Sequence, residues 1–175
     1  MKRIIIIIMF FLSATSMFGQ FTYGPRVGVG AASIQEADMG VSFHIGAFLN
    51  AEFYDRFGLQ PEVLYTMKTG SSEEDNETGG KDEVKYNHSS IDIPILVFFP
   101  LSQHLRVMVG PMLSDISSAT REVKGEKDNS YTIEGKAGFA VGIETDGYSP
   151  LRVGMRYRNA EASSIEVTVS YTLDW

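Results

Sequence analysis

The stretch Val41 to Phe53, VSFHIGAFLNAEF, alternates apolar and polar side chains along its whole length. Its odd-numbered positions are all apolar, and its even-numbered positions include His44, Asn50 and Glu52. In a β-strand this period of two places the apolar side chains on one face. A strand of a soluble sandwich usually ends after about 5–6 residues, whereas a strand tilted through a bilayer needs about 9–11. The stretch therefore predicts a membrane-spanning strand with one face toward lipid and one toward the inside of a barrel.

The first residues of the chain predict an export signal. Lys2 and Arg3 precede an uninterrupted apolar run, residues 4–12. This is the length of a secretory signal and is too short for a spanning helix, which needs about 20 apolar residues. We place cleavage after Gly19, with cleavage after Ser16 as the alternative. Residues 1–19 are therefore the predicted signal peptide.

The remaining chain, residues 20–175, is acidic and contains no cysteine. Loss of Lys2 and Arg3 changes the formal charge from −7 to −9, since both removed charges are positive. An acidic balance argues against binding to nucleic acid, and the missing cysteines exclude disulfides and thiolate chemistry. About 155 residues suffice for one domain but scarcely for two. We therefore expect a single outer-membrane β-barrel domain.

Seven further stretches repeat the alternation, and the apolar side chains fall on odd residue numbers in each of them. Together the stretches predict an all-β fold, an eight-stranded antiparallel up-and-down transmembrane β-barrel. The predicted strands are residues 21–32, 41–53, 57–68, 84–99, 105–114, 131–144, 151–158 and 164–175.

The connections after the first, third, fifth and seventh predicted strands tend to be longer and more polar than the other three. Two of them, residues 69–83 and 115–129, are the long loops of this prediction. Barrels of Gram-negative outer membranes have short periplasmic turns and longer extracellular loops. We therefore expect the N- and C-termini in the periplasm and the two long loops outside the cell.

Charged side chains occupy the even-numbered positions, which face inward. An eight-stranded barrel is only wide enough inside for side chains, and charges of both signs can pair there. The strand directions put Glu52, Arg106, Glu144 and Arg152 near the periplasmic end, with Glu62, Asp92 and Arg156 further out. We predict a lumen charge network that plugs the barrel, with a narrow ion pathway as the alternative. Its members are Arg26, His44, Glu52, Glu62, Asp92, Arg106, Glu144, Arg152, Arg156, Arg158 and Glu166, and Lys68 shares their face.

Two further groups of side chains fit this barrel. Small residues on the inner face, Gly28 among them, leave room for the long charged side chains. Aromatic residues at the strand ends are expected to form the two interfacial girdles. These are Tyr23, Phe53, Tyr54, Phe57, Phe99, Tyr148 and Trp175 at the periplasmic end, and Tyr65, Tyr86, Tyr131 and Tyr157 at the other.

The sequence predicts no catalytic, cofactor or metal site. His88 and Ser90 lie two residues apart, so the His could activate the Ser as in a lipid-modifying enzyme. Their shared parity turns both inward, away from lipid, and no orienting acid is identifiable. His44, His88 and His104 lack metal-ligand spacing. The acidic run at residues 73–77 could hold a divalent cation, but we interpret it as a solvated loop.

Four short motifs resemble the PorT-like outer-membrane β-barrel family. They are YGPRVGV (23–29), LQPEVLY (59–65), IDIPIL (91–96) and VGP (109–111). The chain also ends on Tyr171, Leu173 and Trp175, which is similar to the C-terminal signal read by the barrel assembly machinery, although most such proteins end in Phe. The resemblance implies a Gram-negative outer-membrane barrel. The secretion role associated with the family's namesake is not transferred, because this chain has little beyond the barrel.

These observations predict a plugged barrel with a structural or surface-interaction role and no catalysis. The expected partners are outer-membrane lipids and lipopolysaccharide, the barrel assembly machinery during biogenesis, and a surface partner at the two long loops. The alternatives are a narrow small-solute channel, an outer-membrane lipid-modifying enzyme and a soluble periplasmic ligand-binding β-barrel.

Overall fold

The computed structural model describes residues 20–33, 39–53, 57–75, 81–123, 126–128, 136–146, 149–160 and 162–174, which form one antiparallel β-sheet. Its strands are β1 (Gln20–Ser33), β2 (Met39–Glu52), β3 (Gly58–Asp75), β4 (Lys81–Pro100), β5 (Leu105–Val123), β6 (Glu126–Asp128), β7 (Lys136–Thr145), β8 (Leu151–Asn159), β9 (Ser163–Tyr171) and β10 (Leu173–Asp174). No helix in these ranges is long and apolar enough to cross a membrane. The predicted signal peptide, residues 1–19, lies outside the described residues.

The sheet closes on itself because its first and last strands pair. Val27 of β1 is opposite Ile45 of β2 on one side and Val169 of β9 on the other. β9 and β10 together make the last barrel strand, which is interrupted at Thr172, and β6 pairs with the end of β5. The fold is therefore a closed eight-stranded antiparallel barrel, as the alternating stretches predict.

Within the apolar belt, the two faces of the barrel follow residue parity in every strand. Beyond the belt the parity of β5 changes, because Ser90 of β4 is opposite Ile116 whereas Ser89 is opposite Ser118. Odd-numbered side chains point outward and form an apolar belt, and even-numbered side chains point inward and are mostly buried. One outward residue from each barrel strand shows the belt, with exposed fractions between 37% and 57%: Val29, Ile45, Val63, Ile93, Val109, Val141, Met155 and Val167. An exposed apolar surface that encircles the protein is what lipid contact requires.

The strands extend further at one end of the barrel than the sequence predicts. Residues 69–75 and 81–83 were expected in a loop but continue β3 and β4, and residues 115–123 and 126–128 were expected in another loop but form the end of β5 and all of β6. Backbone pairing does not require apolar side chains, so an antiparallel hairpin can continue beyond the belt. The seventh of the ten strands begins at Lys136, and residues 129–135, which include its predicted start, lie outside the described residues.

The expected long loop between the third and fourth predicted strands is mostly strand in the structure. The segment between β3 and β4, residues 76–80, is no longer than the segment between β2 and β3, residues 53–57. The contrast lies in the strands, because β3, β4 and β5 overhang their neighbours. We call that side the hairpin end, and we call the side with Gln20 and Asp174 the terminal end.

The aromatic residues partly follow the girdle prediction. Tyr23, Phe53, Phe57 and Phe99 are 38–44% exposed at the terminal end. Among them, the rings of Phe57 and Phe99 lie 5.0 Å apart between centroids. Tyr65 also points outward, and Tyr157 lies half-buried on the outer face. The predicted girdle residues Tyr54, Tyr131, Tyr148 and Trp175 lie outside the described residues.

Candidate functional site: the charged lumen

The inward face carries most of the charged side chains that the sequence assigns to it. These side chains are no more than 6% exposed: Arg26, His44, Glu62, Lys68, Asp92, Arg106, Glu144, Arg152, Arg156, Arg158 and Glu166. Glu52, which was predicted with them, is only half-buried at the terminal end of β2. Residue parity therefore predicts which side chains line the lumen, and the tilt of the strands determines which of them come into contact.

Glu144 joins two arginines near the terminal end. Arg26 donates from Nη2 to Glu144 Oε2 at 2.5 Å, and Arg106 donates from Nη2 to Glu144 Oε1 at 2.6 Å. Arg106 also donates to Gln60 Oε1 at 2.7 Å. Arg106 and Glu144 are direct neighbours across β5 and β7, as their predicted grouping requires. Each carboxylate oxygen of Glu144 thus holds one guanidinium.

Glu62 joins opposite walls of the barrel. Arg156 of β8 donates to both carboxylate oxygens of Glu62 on β3, at 2.6 and 3.0 Å. Three strands separate β3 from β8 in either direction around the sheet, so this bidentate pair crosses the lumen. Gln60 also donates to Glu62, and Arg26 Nη1 lies 3.5 Å from Glu62 Oε1. Arg26 therefore connects the Glu144 and Glu62 groups.

A second group of charges lies toward the hairpin end. Arg158 donates from Nη1 to Asp92 at 2.7 Å and from Nη2 to Glu166 at 2.6 Å. Nδ1 of His44 lies 2.9 Å from the second oxygen of Glu166, and Ser42 donates to Glu166 at 2.6 Å. One arginine thus links carboxylates on β4 and β9.

Hydroxyl groups complete the shell of Asp92, and the sequence did not single out most of them. Thr66, Ser90 and Ser114 donate to Asp92 at 2.7, 2.9 and 2.6 Å. All three are even-numbered residues on β3, β4 and β5, so parity already places them on the inner face. Their convergence on one carboxylate depends on the register between strands, which the sequence does not specify.

Apolar side chains cover one wall of the lumen. Leu96, Phe98, Met108 and Ala140 form a buried cluster on β4, β5 and β7. The guanidinium carbon of Arg106 lies 4.6 Å from the centre of the Phe98 ring. At this distance a cation over an aromatic face is stabilised by the quadrupole of the ring. Aromatic faces thus hold arginines in place beside their carboxylate partners.

A buried cluster of three apolar side chains lies at the hairpin end of the lumen. Val84 and Tyr86 of β4 pack against Ala162, which lies between β8 and β9 on the opposite wall. The Lys68 ammonium donates to the Ala162 carbonyl at 3.0 Å. Tyr86 was predicted in the outer girdle, and this is wrong: it is 2% exposed because its even position turns the ring inward. We call Val84, Tyr86 and Ala162 the hairpin cap.

The remaining predicted residues are Arg152 of the lumen and Tyr171, Leu173 and Trp175 of the C-terminal pattern. Arg152 is buried near the terminal end, where its Nη2 lies 3.9 Å from Asp146 Oδ1. Tyr171 and Leu173 of the C-terminal pattern point outward and are 47% and 40% exposed, and Trp175 is outside the described residues. Within the ranges described, no group of three His, Asp or Glu side chains is arranged to hold a metal ion.

The lumen has little free space beside His44. A Cβ atom at Gly28 would lie 2.2 Å from Cε1 of His44, its direct neighbour on β2. Gly28 therefore gives the imidazole the space in which it reaches Glu166. Gly28 is therefore required by packing, as the small residues on this face predict.

A closed barrel with an apolar belt and a polar, side-chain-filled interior defines a class of protein, the small transmembrane β-barrel. The sequence matches the family described as outer membrane protein beta-barrel domain over residues 13–155. The chain therefore belongs to that family, and it is located in the outer membrane. None of the curated proteins compared with it is significantly similar.

Solved structures show the same fold. Neisserial surface protein A is 17% identical, with a TM-score of 0.59 over 87% of this chain and 97% of that one. A designed transmembrane β-barrel is 14% identical, with a TM-score of 0.53 over 87% of this chain and 95% of that one. Ail, the attachment invasion locus protein of Yersinia pestis, is 9% identical, with a TM-score of 0.50 over 90% and 100%. At these identities the comparison concerns the fold alone.

Proposed function

We propose that this protein is a sealed outer-membrane barrel that presents its long hairpins outside the cell as an interaction surface. The observation that carries the proposal is the cross-lumen pair Glu62–Arg156, with bonds of 2.6 and 3.0 Å and both side chains 1% exposed. Ion pairs at successive levels and the hairpin cap occupy the space through which a solute would pass. This filling supports a structural plug over a channel.

Conductance in a planar bilayer tests the seal. The wild-type barrel is expected to show no sustained single-channel steps. The double variant Glu62→Ser with Arg156→Ser removes both partners and their volume, so it should conduct. A control with Val63→Ser and Tyr157→Ser changes the adjacent outward positions and should remain silent. Sustained steps from the wild-type protein would instead support the small-solute channel.

The orientation is part of the proposal. β3, β4 and β5 overhang their neighbours at the hairpin end, and extracellular extensions of barrels are commonly longer than periplasmic ones. Because the chain has no cysteine, a single introduced cysteine is the only thiol that can react, and its reactivity shows on which side of the membrane it lies. Ser71→Cys should react with a membrane-impermeant maleimide on intact cells, and Ser149→Cys only after lysis. The reverse pattern would put the termini outside and remove the surface role.

We also propose that the protein is not an enzyme and needs no cofactor. His88 and Ser90 are 7% and 6% exposed inside the barrel, and the Ser90 hydroxyl already donates to Asp92. A lipid substrate approaching the belt does not reach them. Replacing Ser90 with Ala should leave the lipid A profile of the cells unchanged, and a changed profile would support a lipid-modifying activity.

We propose that the chain is a PorT-like member of this family, and the charged lumen supports this. Three of the resembling motifs supply charges to it, namely Arg26, Glu62 and Asp92, and the first motif also supplies Gly28 beside His44. If these motifs mark the family, the corresponding residues in a solved PorT-like barrel should point inward and pair across the lumen. Outward positions there would contradict the assignment.

The barrel assembly machinery is the partner we propose for biogenesis. Tyr171 and Leu173 present apolar side chains outward at the end of the last strand, where the machinery would read them. Leu173→Asp should reduce the folded, outer-membrane fraction in cells while leaving detergent refolding of the purified chain intact. An unchanged cellular fraction would argue against the signal.

A further inference from the structure

Four polar side chains lie on the inner face near the terminal end, and the strand register makes them neighbours around the barrel. Arg106 of β5 is opposite Glu144 of β7, and Glu144 is diagonal to Arg152 of β8. Arg152 is in turn diagonal to Thr172, where the last barrel strand is interrupted. Asn50 of β2 lies in the row that crosses β1 to the end of β10. We call Arg106, Arg152, Thr172 and Asn50 the terminal ring, and all four are at most 8% exposed.

The hydrogen-bonding groups of the terminal ring are incompletely paired. Arg106 donates from Nη2 only, and its buried Nε and Nη1 have no partner. Nε and Nη1 of Arg152 are also buried without a partner, as are Oδ1 of Asn50 and Oγ1 of Thr172. Buried polar groups in native proteins nearly always have a hydrogen-bond partner. The ring therefore contains four guanidinium donor atoms that still require an acceptor.

The carboxylates near Arg152 do not satisfy its guanidinium. Both oxygens of Glu144 already accept hydrogen bonds from other arginines. Asp146 Oδ1 lies 3.9 Å from Nη2 of Arg152, which is beyond hydrogen-bond distance, and Glu52 acts on Arg152 electrostatically without accepting a hydrogen bond among the printed contacts of the described chain. A buried charge without close partners is unfavourable. Arg152 therefore requires a further anionic group beside it.

We propose that the terminal ring binds one small inorganic anion, a halide or a phosphate, between the guanidinium groups of Arg106 and Arg152. The anion accepts hydrogen bonds from Nη1 of both arginines and from the hydroxyl of Thr172. Guanidinium N–H groups form strong, charge-assisted hydrogen bonds with anions. Since 6% of Arg152 is exposed, the ring is in contact with solvent at the terminal end. The anion enters from that side and does not have to pass the Glu62–Arg156 pair.

Chloride NMR tests the site in solution, because exchange of chloride with a protein site broadens its resonance. The purified barrel in a non-ionic detergent should broaden the line. Arg152→Gln should lose most of this broadening. The control Lys85→Gln removes an exposed positive charge on the outward side of β4 and should retain it. Equal broadening by the wild type and Arg152→Gln would overturn the site.

Competition distinguishes the two kinds of anion. If the site takes phosphate, inorganic phosphate should narrow the chloride line of the wild type and leave that of Arg152→Gln unchanged. A chloride line that phosphate does not narrow assigns the site to a halide. Each variant is first checked for folding by its heat-dependent gel migration. Arg152→Lys, which keeps the charge but loses the planar set of donors, replaces Arg152→Gln if that variant does not fold, and it should also lose most of the broadening.

Crystals of the wild-type barrel grown with bromide test the position of the site without any substitution. An anomalous scattering peak is expected inside the lumen, in contact with Nη1 of Arg106 and Nη1 of Arg152. Bromide peaks confined to the outer surface, with water at the terminal ring, would overturn the proposal.

Discussion

The buried carboxylates depend on their arginine partners. Removing one partner of a buried pair leaves an uncompensated charge, whereas replacing both by apolar residues of similar volume is often neutral. Glu62 faces two guanidinium groups, those of Arg156 and Arg26. Replacing Glu62 therefore separates the contribution of charge pairing from the contribution of filling the lumen with side chains.

We expect Glu62→Gln to lower the free energy of unfolding by about 3–5 kcal/mol, because Arg156 loses its bidentate partner. The double variant Glu62→Leu with Arg156→Met should recover most of this loss. Urea titration of the barrel refolded in lipid vesicles measures both. A double variant as unstable as the single one would mean that the pair contributes more than charge compensation.

Gly28 gives a second test at this scale. Gly28→Ala places a methyl group against the His44 ring, so the free energy of unfolding should fall by about 1–3 kcal/mol. The outward neighbour Val29→Ala serves as the control and should change it far less. An unperturbed Gly28→Ala barrel would show that the imidazole can move away without loss.

Among the elements, β3, β4 and β5 extend beyond the strand ends that the sequence predicts. They continue past the belt, and β4 then turns Tyr86 toward the opposite wall. The hairpin cap that results lies above Ser90 on the same face of β4. It should therefore limit access of solvent to the charges beneath it.

Thiol accessibility measures this effect of the cap. Ser90→Cys should react slowly with a small maleimide in the otherwise wild-type barrel. Adding Tyr86→Ala opens the cap and should speed the reaction at least tenfold, whereas Lys85→Ala, on the outward side, should not. Equal rates in all three proteins would mean that the cap does not control access.

At the scale of the whole molecule, the apolar belt determines where the barrel can lie. Val109→Arg places a charge on the lipid face, where a Lys or Arg at the midplane costs about 2–4 kcal/mol. Ser71→Arg, on the overhanging part of β3, should cost close to nothing. Unfolding titrations in lipid vesicles compare the two variants, and equal costs would contradict the position of the belt.

Much of this fold could be predicted, because alternation fixes the face of each residue. Glu62, Asp92 and Glu166 are all even-numbered and all point inward. Their partners could not be predicted, because strand tilt and register decide which inward groups meet. The hairpins were missed for a related reason: polar residues beyond Lys68 lose the alternation, while their backbone still pairs. Tyr86 shows that a residue's parity is a better guide than its chemical type.

The pairing of β1 with β9 also determines when this protein can fold. Arg26 and Ser170, side by side across that seam, are 144 residues apart in the chain. A polypeptide that stopped after β8 would present two unpaired strand edges, and each unsatisfied backbone group in hydrocarbon costs several kcal/mol. Inserting the chain into the membrane before its synthesis is complete is therefore unfavourable. The chain has to be finished, and kept unfolded until then, before the membrane can accept it.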